Sequence, residues 1–149
     1  MMNKFQFHFG DYFNDGHGQY ITIHVQTEQT ATDIQQIINT INRDYPILEK
    51  LGMAREYDEP HISPEVWKVV RAFGYPAERF CEYMNDNRYD GISMEVIDQY
   101  IANGDVVFNV ETIADIWIWM MNCRGANLEY IEADFKHFWF DDGYGCFLC

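Results

Sequence analysis

Between Phe5 and Val25 the chain alternates apolar and polar residues on both sides of a turn-rich segment, a pattern that fits a β-hairpin and little else. The first arm is Phe5-Gln6-Phe7-His8-Phe9, and the second is Gln19-Tyr20-Ile21-Thr22-Ile23-His24-Val25. A period of two places Phe5, Phe7 and Phe9 on one face, where Ile21, Ile23 and Val25 can meet them across the pair. Gln6, His8, Thr22 and His24 then share the other face, with His8 and His24 as a candidate cross-strand pair. Gly10, Gly16 and Gly18 supply the turn chemistry between the arms.

Helical patterns fill the middle of the chain. Thr32 and Gln35 fit a capping box ahead of the stripe Ile34, Ile37, Ile38 and Ile41, which Pro46 terminates. A short helical turn is expected over Leu48 to Met53, followed by an acidic loop at Glu56 to Pro60. Ser63-Pro64-Glu65 is a strong helix start, with Val66, Val69, Val70 and Phe73 as the apolar stripe. Pro76 opens a further helix with Phe80, Cys81 and Met84 inward, and Asn85 to Gly91 reads as a polar loop. Ser93 caps the next helix, which Asn103-Gly104 stops; Val106 to Phe108 is a short strand or a lead-in. Glu111 to Cys123 is apolar nearly all round and therefore central.

Strand character returns at Leu128 to Phe135, and Lys136 to Cys149 reads as a second hairpin with an Asp-Gly turn at Asp142-Gly143. Strands at both ends with helices between them predict an α+β fold. Its N-terminal and C-terminal hairpins would share an antiparallel sheet packed against about five helices, as a single domain spanning 1–149. A chain of this length buries roughly 70% of its unfolded surface.

Charge carries the functional reading. The formal net charge is −14, and it is uneven. Residues 1–88 hold 13 acids and 8 bases, net −5, while residues 89–149 hold 11 acids and 2 bases, net −9. Such a chain repels nucleic acid and anionic membranes and attracts basic partners. The strand Phe5, Phe7, Phe9 could pass for a base-stacking platform, but affinity for nucleic acid comes mostly from neutralised phosphates, and ten basic residues stand against 24 acidic ones. No apolar run reaches membrane-spanning length. With no apolar leader after Met1-Met2-Asn3-Lys4, the expected location is the cytoplasm, with Cys81, Cys123, Cys146 and Cys149 as free, buried thiols.

Motifs for chemistry are sparse. Asp11, Asp15 and His17 could ligate a divalent cation, but the spacing matches no established metal loop, and turn chemistry explains the same residues. Cys146-Phe147-Leu148-Cys149 supplies two of the four ligands that structural zinc needs. No nucleophile elbow, zinc-protease helix, phosphate loop or dinucleotide fingerprint is present. The expectation is a binding protein without catalytic residue, metal or cofactor.

Its candidate partner-binding residues are Asp90, Glu95, Asp98, Glu129, Tyr130, Glu132, Asp134, Asp141, Asp142 and Tyr144. Side chains at i and i+2 on a strand lie roughly 6.6 Å apart on one face, a spacing comparable to successive phosphates, so Glu132 and Asp134 could imitate two of them. Tyr89, Tyr130 and Tyr144 are candidate exposed aromatic anchors.

The opening Phe7-His8-Phe9-Gly10-Asp11, followed by Asp15-Gly16-His17-Gly18, resembles the start of small acidic proteins of bacteria, phages and prophages. The likeness covers about the first 25 residues and implies a mobile-element setting without an agreed activity. By type, in size and charge, the chain is also similar to anti-CRISPR proteins that imitate DNA. The expected function is therefore an inhibitor that docks on a basic nucleic-acid-binding protein such as a Cas effector. An immunity protein for a basic nuclease toxin is one alternative, and a metal-dependent enzyme built on the first hairpin loop is another.

Overall fold

The structure is a computed structural model that describes residues 2–10, 20–50, 62–106, 108 and 110–131. Strand β1 (Asn3–Gly10) pairs antiparallel with β2 (Tyr20–Thr27). The short β3 (Glu129–Tyr130) adds to the far side of β2, giving the order β1-β2-β3. Among the described residues, five α-helices lie between β2 and β3: α1 (Ala31–Asp44), α2 (Pro64–Ala72), α3 (Ala77–Met84), α4 (Met94–Ala102) and α5 (Val110–Cys123). Two 3-10 turns, Pro46–Lys50 and Asn87–Tyr89, complete the described elements. The α+β architecture follows from the pattern of the sequence. The expected second hairpin, at Lys136 to Cys149, lies outside the described residues.

The hairpin has the register that alternation requires, with Phe5 opposite Val25, Phe7 opposite Ile23 and Phe9 opposite Ile21. Phe5, Phe7 and Val25 are buried. The proposed His8–His24 pair is corrected: His24 faces Gln6, and His8 faces Thr22. His24 is also buried, so the second face of β2 is not open to solvent at that point.

Helix starts follow the side-chain oxygens available to cap them. Ser63 accepts from the Val66 amide and Ser93 from the Val96 amide, as their positions before apolar runs dictate. The capping box of α1 is Thr30 with Asp33, two residues ahead of the expected pair. Thr30 accepts from the Asp33 amide at 3.1 Å, and the Asp33 carboxylate accepts from the Thr30 amide at 3.0 Å. Ile34, Ile38 and Ile41 are buried along α1. Of the turn expected over Leu48 to Met53, residues 48–50 belong to a 3-10 segment that starts earlier, at Pro46, whose fixed φ suits a new helical start; the rest of it and the acidic loop at Glu56 to Pro60 lie outside the described residues. No strand forms at Val106 or Phe108; both are buried in the lead-in to α5.

Helix α5 organises the core. It packs against β1, β2, α1 and α3, and its residues from Thr112 to Ile118 are all buried. Around it, Trp67, Phe80, Tyr89 and Phe108 make edge-to-face or tilted ring contacts at 5.4 to 6.1 Å, the separations aromatic pairs prefer. Tyr89 is thus corrected from surface anchor to core residue. Cys81 and Cys123 are both free; the expected burial is corrected for Cys123, which is exposed because it ends α5 where the helix leaves the core, while Cys81 is half-buried. No helix among the described residues is long and apolar enough to cross a membrane.

Candidate partner-binding surface

Among the described residues, five arginines form ion pairs. Arg43 and Arg124 reach Asp44 at 3.2 and 3.7 Å, Arg71 reaches Asp98 at 3.0 Å, Arg88 reaches Asp86 at 2.8 Å, and Arg79 pairs with Asp115. The carboxylates of Glu65, Glu78, Asp90, Glu95, Asp105 and Glu111 are exposed and have no ion-pair partner among the described residues. Among the described residues, then, five arginines are engaged by carboxylates, mostly in pairs at the surface, while these six exposed acids have no such partner.

The expected site residues divide accordingly. Asp90 is exposed just after the 3-10 turn, and Glu95 is exposed in the first turn of α4. Asp98 is drawn toward α2 instead: it accepts from the Trp67 indole at 2.6 Å and from Arg71 Nε at 3.0 Å, so its charge is largely cancelled. Glu129 is exposed on β3 and accepts from Gln26 Nε2 at 3.3 Å. Tyr130 is 40% exposed, yet its hydroxyl turns inward. Glu132, Asp134, Asp141, Asp142 and Tyr144 lie outside the described residues, as do the Asp11, Asp15, His17 loop and the Cys146–Cys149 pair. Among the described residues no group of three or more His, Cys, Asp or Glu is placed to hold a metal ion.

Sequence reasoning missed the polar centre of the core. Asp115 is fully buried on α5. The Tyr75 hydroxyl donates to its Oδ2 at 2.6 Å, and Arg79 Nε donates to the same oxygen at 2.9 Å. Tyr130 donates to Oδ1 at 2.6 Å, joined there by the second contact of the Arg79 fork. Each carboxylate oxygen thus receives two donors. The Arg79 guanidinium also lies 5.7 Å from the Tyr83 ring centre and 5.4 Å from that of Trp119.

Burial, reinforced by the Asp115 charge, holds the Tyr75 and Tyr130 phenols well above their ordinary range. A carboxylate so fully occupied has no lone pair left to act as a base, so its role is to tie α3, α5 and β3 together. The available signal was a lone acid within the apolar run Ile113-Ala114-Asp115-Ile116, which must find partners or not be buried at all.

Among the described residues, two clefts open between helical segments. One, of about 340 Å³ between α2 and α4, is lined by Pro64, Trp67, Lys68, Arg71, Asp98 and Ile101 among others. The second, of about 360 Å³, is lined by Arg88, Tyr89, Tyr100 and Asp105. In comparisons with known protein families, curated proteins and solved structures, nothing matches this chain.

Proposed function

We propose that the protein is an acidic inhibitor of phage type. It would occupy the basic nucleic-acid-binding surface of a host defence nuclease, such as a Cas effector, and act by occlusion rather than chemistry. The observation that carries this reading is the split in charge among the described residues: arginines engaged in ion pairs with neighbouring aspartates, and six further carboxylates left exposed and unpaired. Self-repulsion among like charges destabilises a compact state, and a basic partner relieves that cost. The fully occupied Asp115 carboxylate supports the same reading, since the most buried acid in the described core is not free for catalysis.

The test is association with a purified, basic Cas effector followed in real time, with duplex DNA as competitor. Binding should be displaced by DNA and should slow steeply between low salt and 0.5 M salt, where the screening length falls to about 4 Å. Binding indifferent to salt, to DNA and to charge reversal at Glu95 and Glu129 rules the reading out.

A further inference from the structure

We infer that the cleft at the C-terminal end of α4 receives a cationic side chain, an arginine or lysine of the basic partner, and anchors the interface; this rests on the reading proposed above. The cleft is built from local geometry. Gly104, at φ +73°, lets the chain reverse after α4. The amide of Asp105 then bonds the Tyr100 carbonyl at 2.9 Å, and the amide of Gly104 bonds that of Ile101 at 3.0 Å. This pair of bonds is a Schellman motif, and it fixes Asp105 beside Tyr100. The opposite wall is the turn Asn87–Tyr89, whose Tyr89 ring lies 6.2 Å from that of Tyr100 at an interplanar angle of 68°.

Three features of the cleft favour a cation. Tyr100 is 36% exposed, and no cation lies over its ring among the described residues. Asp105 is exposed, with no ion-pair partner among the described residues. The last turn of α4 has no basic residue to complement the partial negative charge of a helix C-terminus. A guanidinium already uses the neighbouring ring: Arg88 sits 5.4 Å from the centre of Tyr89 and is bound to Asp86 at 2.8 Å. The fold thus satisfies one cation with one tyrosine and one aspartate, and it leaves a second tyrosine and a second aspartate beside them unused. A cleft of about 360 Å³ has room for an arginine or lysine head group, and aromatic faces paired with a carboxylate are how such groups are held.

The experiment titrates the intact protein with a fluorescent deca-arginine peptide at 50 and 150 mM salt. It compares the native chain with Tyr100→Ala, Asp105→Asn, Arg88→Gln and Glu28→Gln, the last removing an equal, exposed charge in the connection between β2 and α1. Tyr100→Ala and Asp105→Asn should each weaken binding about five- to tenfold, and Glu28→Gln less than about twofold. Arg88→Gln removes the competing cation and should tighten binding. Because Asp105 is exposed, Asp105→Asn should keep the native thermal midpoint within about 2 °C; Tyr100→Ala also loses the ring contact with Tyr89, so its midpoint should fall by about 2–4 °C with the fold retained.

Equal, small losses for Asp105→Asn and Glu28→Gln, with none for Tyr100→Ala, would mean that the peptide feels only the general field. That overturns the anchor and leaves the acidic-inhibitor reading standing. No binding of deca-arginine by the native chain at 50 mM salt overturns both.

Discussion

Tyr130 on β3 places its hydroxyl 2.6 Å from Oδ1 of the fully buried Asp115 on α5, and Tyr75 meets Oδ2 at the same distance. These two phenols and the Arg79 fork turn an isolated buried charge into a junction between the sheet and the helices. Removing one member of such a set strands the others, which is costlier than the net worth of the set.

Asp115→Ala should therefore destabilise the fold by about 3–5 kcal/mol, while Tyr130→Phe should cost about 1–2 kcal/mol. Urea unfolding followed by tryptophan fluorescence measures both. A loss below about 1 kcal/mol for Asp115→Ala would show that the junction is not structural.

Alkaline pH should weaken the fold. The Tyr75 and Tyr130 phenols are raised above their ordinary value of 10.0 by burial first and by Asp115 second. Above that value the unfolded chain loses phenolic protons that the folded chain keeps, so stability present below pH 10.0 falls as pH rises further. Replacing both residues with Phe should flatten the decline in denaturation midpoint between neutral pH and about pH 11.

Gly104→Ala should lower stability by about 1 kcal/mol, because φ +73° is strained for a residue with a Cβ even though nothing crowds that position. For a domain of this size the thermal midpoint should drop by about 2–4 °C. An unchanged midpoint would mean that the turn after α4 adapts freely.

Glu95 and Asp98 share a helix but not a fate. Glu95→Gln should slow association with a basic partner at low salt, because its charge is exposed and unpaired. Asp98→Asn should show mainly as a stability loss of about 1–2 kcal/mol, since it weakens the acceptor for Trp67 and Arg71. Stopped-flow association and chemical unfolding on the same two variants separate these effects.

Local periodicity made much of the fold legible. The hairpin register follows from alternation, because slipping by one residue would expose Phe5, Phe7 and Val25. Ser63 and Ser93 announce their helices through oxygens that caps require. The start of α1 was harder: Thr30 and Thr32 are both plausible caps, and only the reciprocal bond from Asp33 decides between them.

The polar neighbours of Tyr89 in the sequence point to the surface, whereas its burial comes with Phe80, a contact made in space. Asp98 reads as one more surface acid until α2 brings Arg71 to it. The Asp115 junction has one legible member, the acid in an apolar run. Its partners Tyr75, Arg79 and Tyr130 come from three separate segments that no local pattern links.

The sheet order has a consequence for the sequence of folding events. Thr27 at the end of β2 donates its hydroxyl to the Ala126 carbonyl at 2.5 Å across 99 residues of chain, and Gln26 reaches Glu129 across 103. A polypeptide leaving the ribosome N-terminus first can close β1 onto β2 at once, but β2 must wait for everything through α5 before gaining its other neighbour. Loops that long close slowly, while the helices between form from nearby residues. Until Tyr130 emerges, the nascent chain carries an open edge on β2 and an Asp115 short of one donor, so the docking of β3 is the step that joins the sheet to the buried carboxylate.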